Sequence, residues 1–225
     1  MSDALLRDPY PVYAKARETP GLTFLPEMNA WLVARDADVR EVLRSPEVFS
    51  SANALRGDFV AEPSVLAELG KGVGGAPVVV TSDGAAHQRY QVPLVRGLSP
   101  ARVASVVPFI RERAESLVDA FASPVELVGA YARRLPGEVI GHLLGLDPEH
   151  VPMAVEVGYR SAPRCCTFGH GVHSCPGAQL AREQVLITLE ILTRRLPGLR
   201  LAADRPVVMA PTLIHRGPEE LWLTW

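Results

Sequence analysis

The pattern of apolar and polar residues predicts helices over much of the chain. After Ser99-Pro100, which form a helix start, apolar residues fall on one helical face as far as Phe121. A second helical pattern extends from Val128 to Leu146, and Asp147-Pro148 ends it. The strongest pattern extends from about Gly177 to Leu196. Its predicted buried stripe consists of Ala178, Ala181, Val185, Leu189, Leu192 and Leu196.

Shorter patterns surround these helices. Helices are predicted over Val12 to Glu18, from Asp36 to Ser45, and from Asp83 to Leu98 with an interruption at Pro93. Strands are predicted at Leu22 to Leu25, Ala30 to Ala34 and Pro124 to Leu127, and in the tail Leu199 to Trp225. The glycine-rich stretch from Pro46 to Gly84 is predicted to be a long surface loop. The fold class predicted is mainly α with small β-sheets.

Composition excludes several classes of protein. The 225 residues include 23 Lys+Arg and 25 Asp+Glu, so there is no basic excess that would favour nucleic acid. No apolar run approaches the roughly 20 residues that span a bilayer, and the first residues lack the pattern of an export signal. Three cysteines within eleven positions are no disulfide framework. We therefore expect a cytoplasmic protein with no membrane or nucleic-acid partner.

The segment from Phe168 to Arg182 concentrates the candidate chemistry. Its glycines allow a tight loop, and Cys175-Pro176 stand where the long helix is predicted to begin. A helix N-terminus stabilises a thiolate, so Cys175 is a candidate nucleophile or metal ligand. Gly177 has no side chain, so a flat ligand could lie against it.

Three interpretations of Cys175 are open from the residues alone. It could be a structural cysteine at a helix start. It could belong to a zinc site with Cys165, Cys166, His170 and His173, although adjacent cysteines without a distant second pair are poor zinc geometry. It could also be the axial thiolate ligand of a haem.

The same segment resembles the haem-binding loop of the cytochromes P450. The matching pattern is Phe-Gly-x-Gly-x-His-x-Cys-x-Gly followed by Leu-Ala-Arg. Further segments resemble bacterial members of the family: those beginning at Asp8, Trp31, Val48, Thr81, Leu98, Arg133 and Arg216. The resemblance implies an incomplete cytochrome P450-like fold with haem b, iron protoporphyrin IX, as cofactor.

The resemblance also implies roles for individual residues. Cys175 would be the axial ligand of the haem iron, and Phe168 would pack beside its thiolate. His173 and His87 would hydrogen-bond the haem propionates. Gly169, Gly177 and Ala178 complete the set of cofactor-binding positions. His142 and His150 match no functional position, Cys165 and Cys166 are expected to be packing residues, and His170 is expected to be exposed.

Two departures from the family pattern stand out. Gln91 occupies the position, four residues after His87, where the family usually has a propionate-binding arginine; Arg89 could replace it. Members are also roughly twice as long, and the shortfall falls between Leu144 and Arg164. That region would carry the oxygen-activating helix with its acid/alcohol pair and the helix with a Glu-x-x-Arg motif. Glu41-Val-Leu-Arg44 fits this motif but lies in another helix.

These departures set the expected organisation and function. Residues 1–150 would form the amino-terminal part, residues 151–163 a junction replacing the missing middle, and residues 164–225 the haem-thiolate loop, long helix and final strands. The family function is a monooxygenase that inserts oxygen into a small organic substrate, with electrons from a ferredoxin- or flavin-type donor. The catalytic residues are unknown, because the distal pair is absent.

Two alternatives are kept. One is a non-catalytic relic or accessory protein whose uncovered apolar helix faces bind a second copy or another protein. The other is a peroxide-driven haem-thiolate oxidase. The substrate is not identified, and the loop from Pro46 to Gly84 and Thr212 to His215 are the candidate pocket walls.

Overall fold

The computed structural model describes residues 3–54, 78–147, 149–152, 168–211 and 217–225. These residues are mainly helical, with two small antiparallel sheets, which confirms the predicted fold class. The helices are α1 (Asp3–Arg7), α2 (Tyr10–Ala16), α3 (Asp36–Arg44), α4 (Gly84–Gly97), α5 (Pro100–Asp119), α6 (Arg134–Leu144) and α7 (Ala178–Arg195). The strands are β1 (Leu22–Leu25), β2 (Ala30–Val33), β3 (Val125–Glu126), β4 (Arg200–Leu201) and β5 (Trp222–Thr224). Within these ranges, no helix combines the length and hydropathy of a membrane span.

The chain divides into two compact units. The first unit comprises Met1–Gly97 with Thr167–Pro176, and the second comprises Leu98–Cys166 with Gly177–Trp225. Each unit therefore combines an early and a late part of the chain. The three-part division expected from the sequence stays a prediction.

In the first unit, β1 and β2 form the predicted hairpin. Leu22 pairs with Val33 and Leu25 with Ala30, and a short 3-10 turn joins the strands. Asn29 ends that turn with a φ of 46°, a left-handed conformation that asparagine tolerates. Helix α4 continues through Pro93 instead of breaking there.

The second unit is built around α5. Its apolar face is buried as the sequence predicts, with Ile110 and Ala114 fully inaccessible to solvent. This face packs against α6 and α7. Burial of such a face is the main source of stability for a helix in water. The small sheet β3-β5-β4 completes the unit, with Leu223 of β5 opposite both Val125 and Leu201.

The stripe predicted on α7 is partly wrong. Val185 is 57% exposed and Leu189 55% exposed, whereas Leu192 and Leu196 are buried as predicted. The side of α7 that enters the core carries Leu180, Gln184, Ile187 and Ile191. These residues also follow one another at intervals of three or four. The helix is apolar on two sides, so spacing alone identifies a helix but not which side is buried.

Candidate functional site

The loop that carries Cys175 is held in a compact form by its own backbone. Phe168, Gly169 and Gly171 all have left-handed φ angles, between 55° and 65°. The Cys175 amide donates a 2.7 Å hydrogen bond to the carbonyl oxygen of Phe168, and the Ser174 amide bonds the carbonyl oxygen of Gly171. A Cβ atom on Gly169 would lie only 2.8 Å from the carbonyl oxygen of His173. The glycine at this position is therefore required by sterics as well as by φ.

The Cys175 side chain is a free, exposed thiol. It lies in the first unit, whereas Gly177 and Ala178, predicted to bind the same ligand, lie in the second unit. Gly177 occupies the N-cap position of α7, so the helix begins one residue later than predicted. An exposed thiol can act as a ligand, whereas a cysteine buried among packed side chains cannot.

The structure brings the two predicted histidines together. The His87 and His173 rings lie 4.2 Å apart between centroids, at an interplanar angle of 60°. His87 is only 3% exposed on α4. Burial, followed by the nearby His173 ring, lowers the pKa of His87, so its neutral form is favoured.

Asp83 binds two serines that lie beside this histidine pair. Its carboxylate accepts a 2.5 Å bond from the Ser50 hydroxyl and a 3.0 Å bond from the Ser51 amide. These bonds, the Ser50 contact foremost, lower the pKa of Asp83 below its ordinary value. Ser51 Oγ in turn lies 2.9 Å from His173 Nε2, and Asp83 Oδ1 lies 3.8 Å from the same nitrogen. Both contacts involve one ring nitrogen, so the group is not arranged as a Ser-His-Asp triad.

Gln91 has a different contact from the one its position suggested. Its Nε2 donates a 2.7 Å hydrogen bond to the carbonyl oxygen of Val172 in the cysteine loop. Arg89, the possible replacement for a propionate-binding arginine, is exposed. Sequence reasoning assigned no role to Ser50, Ser51 or Asp83. Their only signal was that they lie in segments matched to the family.

The remaining candidates are placed as follows. His170 accepts a 3.1 Å hydrogen bond from Arg44 Nε and is half-buried, so the expectation that it is exposed is wrong. Cys165, Cys166, Thr212–His215 and most of the predicted loop and junction lie outside the described residues. Among the described residues, the only cluster of three possible metal ligands is Asp147, Glu149 and His150. It is exposed and does not include Cys175.

Comparison with known proteins finds similar sequences among curated monooxygenases and cytochromes P450. The chain is 32% identical to linalool 8-monooxygenase of Pseudomonas putida over 148 residues, which are 63% of this chain and 36% of that protein. It is 46% identical to mycinamicin IV hydroxylase/epoxidase of Micromonospora griseorubida over 59 residues, 26% of this chain and 15% of that protein. No family model matches the chain.

Solved structures of cytochromes P450 share the fold of this chain. The chain superimposes on the P450 haem domain of Tepidiphilus thermophilus with a TM-score of 0.84 at 17% identity, over 100% of this chain and 95% of that one. A substrate-free cytochrome P450 of Mycobacterium marinum gives a TM-score of 0.81 at 18% identity, over 100% and 97%. The chain therefore has the fold of the cytochromes P450. Its aligned part spans about a third of the curated P450s it matches, so it has this fold in incomplete form.

The residues present in this chain fit a haem. The free thiol of Cys175 is exposed at a loop whose left-handed glycines leave little side-chain bulk. Two imidazoles, which can donate hydrogen bonds to carboxylates, are gathered beside the same loop. One soft axial ligand and two donors for acidic groups match the chemistry of a haem with its propionates.

Proposed function

We propose that this P450 chain binds haem b through the Cys175 thiolate and is a haem-thiolate monooxygenase. The observation that carries the proposal is the free, exposed thiol of Cys175 in a loop closed by its own bond to Phe168. Because the Cys175 thiol is already exposed, its thiolate can bind a haem without any rearrangement of the apolar core.

The other residues of the loop and of α4 act around that bond. His173 and His87 donate hydrogen bonds to the two propionates. Phe168 packs beside the thiolate and shields it from water. Gly177 and Ala178, having little or no side chain, allow the flat ring to lie close to the chain.

The haem, when bound, would supply the activation of dioxygen for insertion of one oxygen atom into an organic substrate. Electrons would come from a ferredoxin- or flavin-type donor. The names of two relatives, linalool 8-monooxygenase and mycinamicin IV hydroxylase/epoxidase, favour a small organic molecule as substrate. Because the acid/alcohol pair of the family has no match in this sequence, we expect turnover with peroxide to exceed turnover with dioxygen and reductant.

The test is the carbon monoxide difference spectrum of the reduced, haem-reconstituted protein. The parent is expected to give the strongly red-shifted Soret band of a thiolate-ligated haem, and Cys175→Ala is expected to lose it. Ser174→Ala, which changes the neighbouring exposed residue, is the matched control and should keep the band. A parent without the band, or a Cys175→Ala variant that retains it, would refute haem-thiolate ligation. Oxidation of a probe substrate with peroxide, and with ferredoxin, reductase and dioxygen, then distinguishes the two activities.

A second candidate function is that of an accessory protein that binds a partner. It is favoured by the exposed apolar side of α7, where Val185, Leu186 and Leu189 are each more than half exposed. Light scattering tests it: a larger assembly that Leu186→Gln dissociates supports partner binding. A monomer at all concentrations, alone and with a candidate electron-transfer protein, contradicts it.

A further inference from the structure

We propose that Gln91 is a positioning residue that clamps the cysteine loop to α4 before any ligand binds. The inference rests on the proposed function, because it concerns the loop that would hold the haem. It gives Gln91 a role that its own sequence position did not suggest.

Helix α4 and the residue that precedes it present three polar side chains to the loop from one side. Asp83, His87 and Gln91 are four residues apart, and residues at this spacing lie one above the other on a helix. Asp83 immediately precedes the helix, and its carbonyl oxygen accepts the hydrogen bond of the His87 amide. All three side chains contact residues 172–173 or the turn that holds residue 173.

At the start of α4, the contact is indirect. Asp83 holds Ser50 and Ser51, and the Ser51 hydroxyl meets His173 Nε2 at 2.9 Å. One turn later, the buried His87 ring packs edge-on against the His173 ring. The His173 side chain is therefore fixed by two groups that both depend on α4.

At the second turn, the contact is made directly to the backbone. Gln91 Nε2 donates to the carbonyl oxygen of Val172 at 2.7 Å. This carbonyl lies one residue before His173 and three before Cys175. A neutral amide bound to a main-chain carbonyl fixes the path of the loop but brings no charge to an acidic ligand.

The loop is also held from its opposite side. A Cβ atom on Gly171 would overlap the carbonyl oxygen of Leu43 at the end of α3, so the loop backbone lies directly against that helix. His170, next in the chain, accepts a hydrogen bond from Arg44. The segment is thus confined between α3 and α4, and Gln91 bonds its backbone from the side of α4.

Amide hydrogen exchange of the ligand-free protein tests the clamp. Gln91→Met keeps the size of the side chain and removes the N–H donor. The exchange of the Ser174 and Cys175 amides is expected to become about fivefold faster, the effect of one lost hydrogen bond. Gln88→Met, at an exposed glutamine of the same helix, is the matched control and should exchange like the parent. Gln91→Arg, which retains donors at this position, should keep the protection.

Haem retention separates this inference from the proposed function. If the parent binds haem, Gln91→Met is expected to lose it to an excess of an acceptor protein about fivefold faster than Gln88→Met. If the amide exchange of Ser174 and Cys175 is unchanged in Gln91→Met, the clamp is refuted. It is also refuted if these amides exchange as fast in Gln91→Arg as in Gln91→Met. Faster exchange in Gln91→Met, with no haem uptake even by the parent, supports the clamp and refutes the proposed function.

Discussion

Each of the two units is stabilised internally by a different kind of interaction. The second unit has a continuous apolar core in which α5, α6 and α7 bury residues such as Ile110, Val139 and Ile191 completely. The first unit buries few apolar side chains in its described part, and its best-defined contacts are the polar ones around Asp83, His173 and Gln91. Among the described residues, the unit that carries the Cys175 loop is thus organised mainly by hydrogen bonds, and the other unit mainly by apolar packing.

The difference has consequences for stability. Fully burying a large aliphatic side chain contributes about 1.5–3 kcal/mol, whereas a typical hydrogen bond contributes about 1 kcal/mol net. We therefore expect global unfolding to respond most to the core of the second unit. Local opening should respond most to the polar contacts of the first unit.

The largest effect is expected from Ile110→Ala. Its side chain is fully buried on α5, so truncation leaves a cavity and should lower the free energy of unfolding by about 2–5 kcal/mol. Val185→Ala, at an exposed apolar position of α7, is the control and should change it by less than about 0.5 kcal/mol. Urea denaturation measures both. Equal effects of the two substitutions would contradict the assignment of the core.

Glu126→Gln should have the next largest effect. Partial burial raises the pKa of Glu126, but amide donors from Leu221, Gly129 and Val128 outweigh it, so the net pKa lies below the ordinary value of 4.5. The ionised side chain therefore stabilises the fold above pH 4.5, and this contribution is lost as the pH falls through the lowered pKa.

At pH 7, Glu126→Gln is expected to cost about 1–3 kcal/mol, and the difference from the parent should shrink on acidification. Urea denaturation at a series of pH values measures this. Glu112→Gln, at an exposed carboxylate of α5, is the control. A pH-independent cost would show that charge is not responsible.

Gln184→Met is expected to stabilise the second unit. Gln184 is buried on the core side of α7, and its Oε1 has no hydrogen-bond partner among the described residues. Its Nε2 makes only a long, 3.4 Å bond to the carbonyl oxygen of Leu180. Replacing this partly unsatisfied buried amide by an apolar side chain of similar shape should raise the free energy of unfolding by about 1 kcal/mol. Gln179→Met, exposed on the same helix, should be neutral in the same thermal unfolding measurement. A loss of stability would contradict the absence of a partner for Oε1.

Asp83→Asn should act locally. The neutral amide has one acceptor oxygen in place of two charged ones, so the bonds from the Ser50 hydroxyl and the Ser51 amide are weakened and the turn at residues 50–51 should open more often. We expect faster exchange of the Ser51 amide with no change in the midpoint of global unfolding. Glu27→Gln, exposed in the hairpin, is the control. A large drop in the midpoint would contradict the proposed independence from the apolar core.

The smallest effect is expected from Glu190→Gln. Glu190 forms a bidentate pair with Arg111 between α5 and α7, but both side chains are exposed. Water and salt screen such pairs, so the unfolding midpoint should stay within experimental repeatability at low and high salt. A clear, salt-dependent decrease would show that ion pairs contribute to the cohesion of the second unit.

Within the second unit, sequence periodicity predicted the buried sides of α5 and α7 unequally well. On α5, one apolar face exists, and all the residues predicted on it are buried except Val107, which is partly buried. On α7, two sides are apolar, and the stripe through Val185 and Leu189 proved to be the exposed side. The spacing of apolar residues identifies a helix, but the neighbouring elements decide which side of the helix is buried. The motif around Cys175 was identifiable because its glycines and histidine stand at fixed spacing.

The sequence by itself determined the mainly helical class, the hairpin, the cysteine loop and the likeness to the cytochromes P450. These depend on local conformation and short-range spacing, which the order of residues specifies directly. Only the tertiary structure decided that His87 meets His173, that Asp83 holds Ser51, and that Gln91 binds the carbonyl oxygen of Val172. These partners are separated by 32 to 86 positions in the chain, and only packing of distant segments brings their atoms within hydrogen-bond or ring-contact distance.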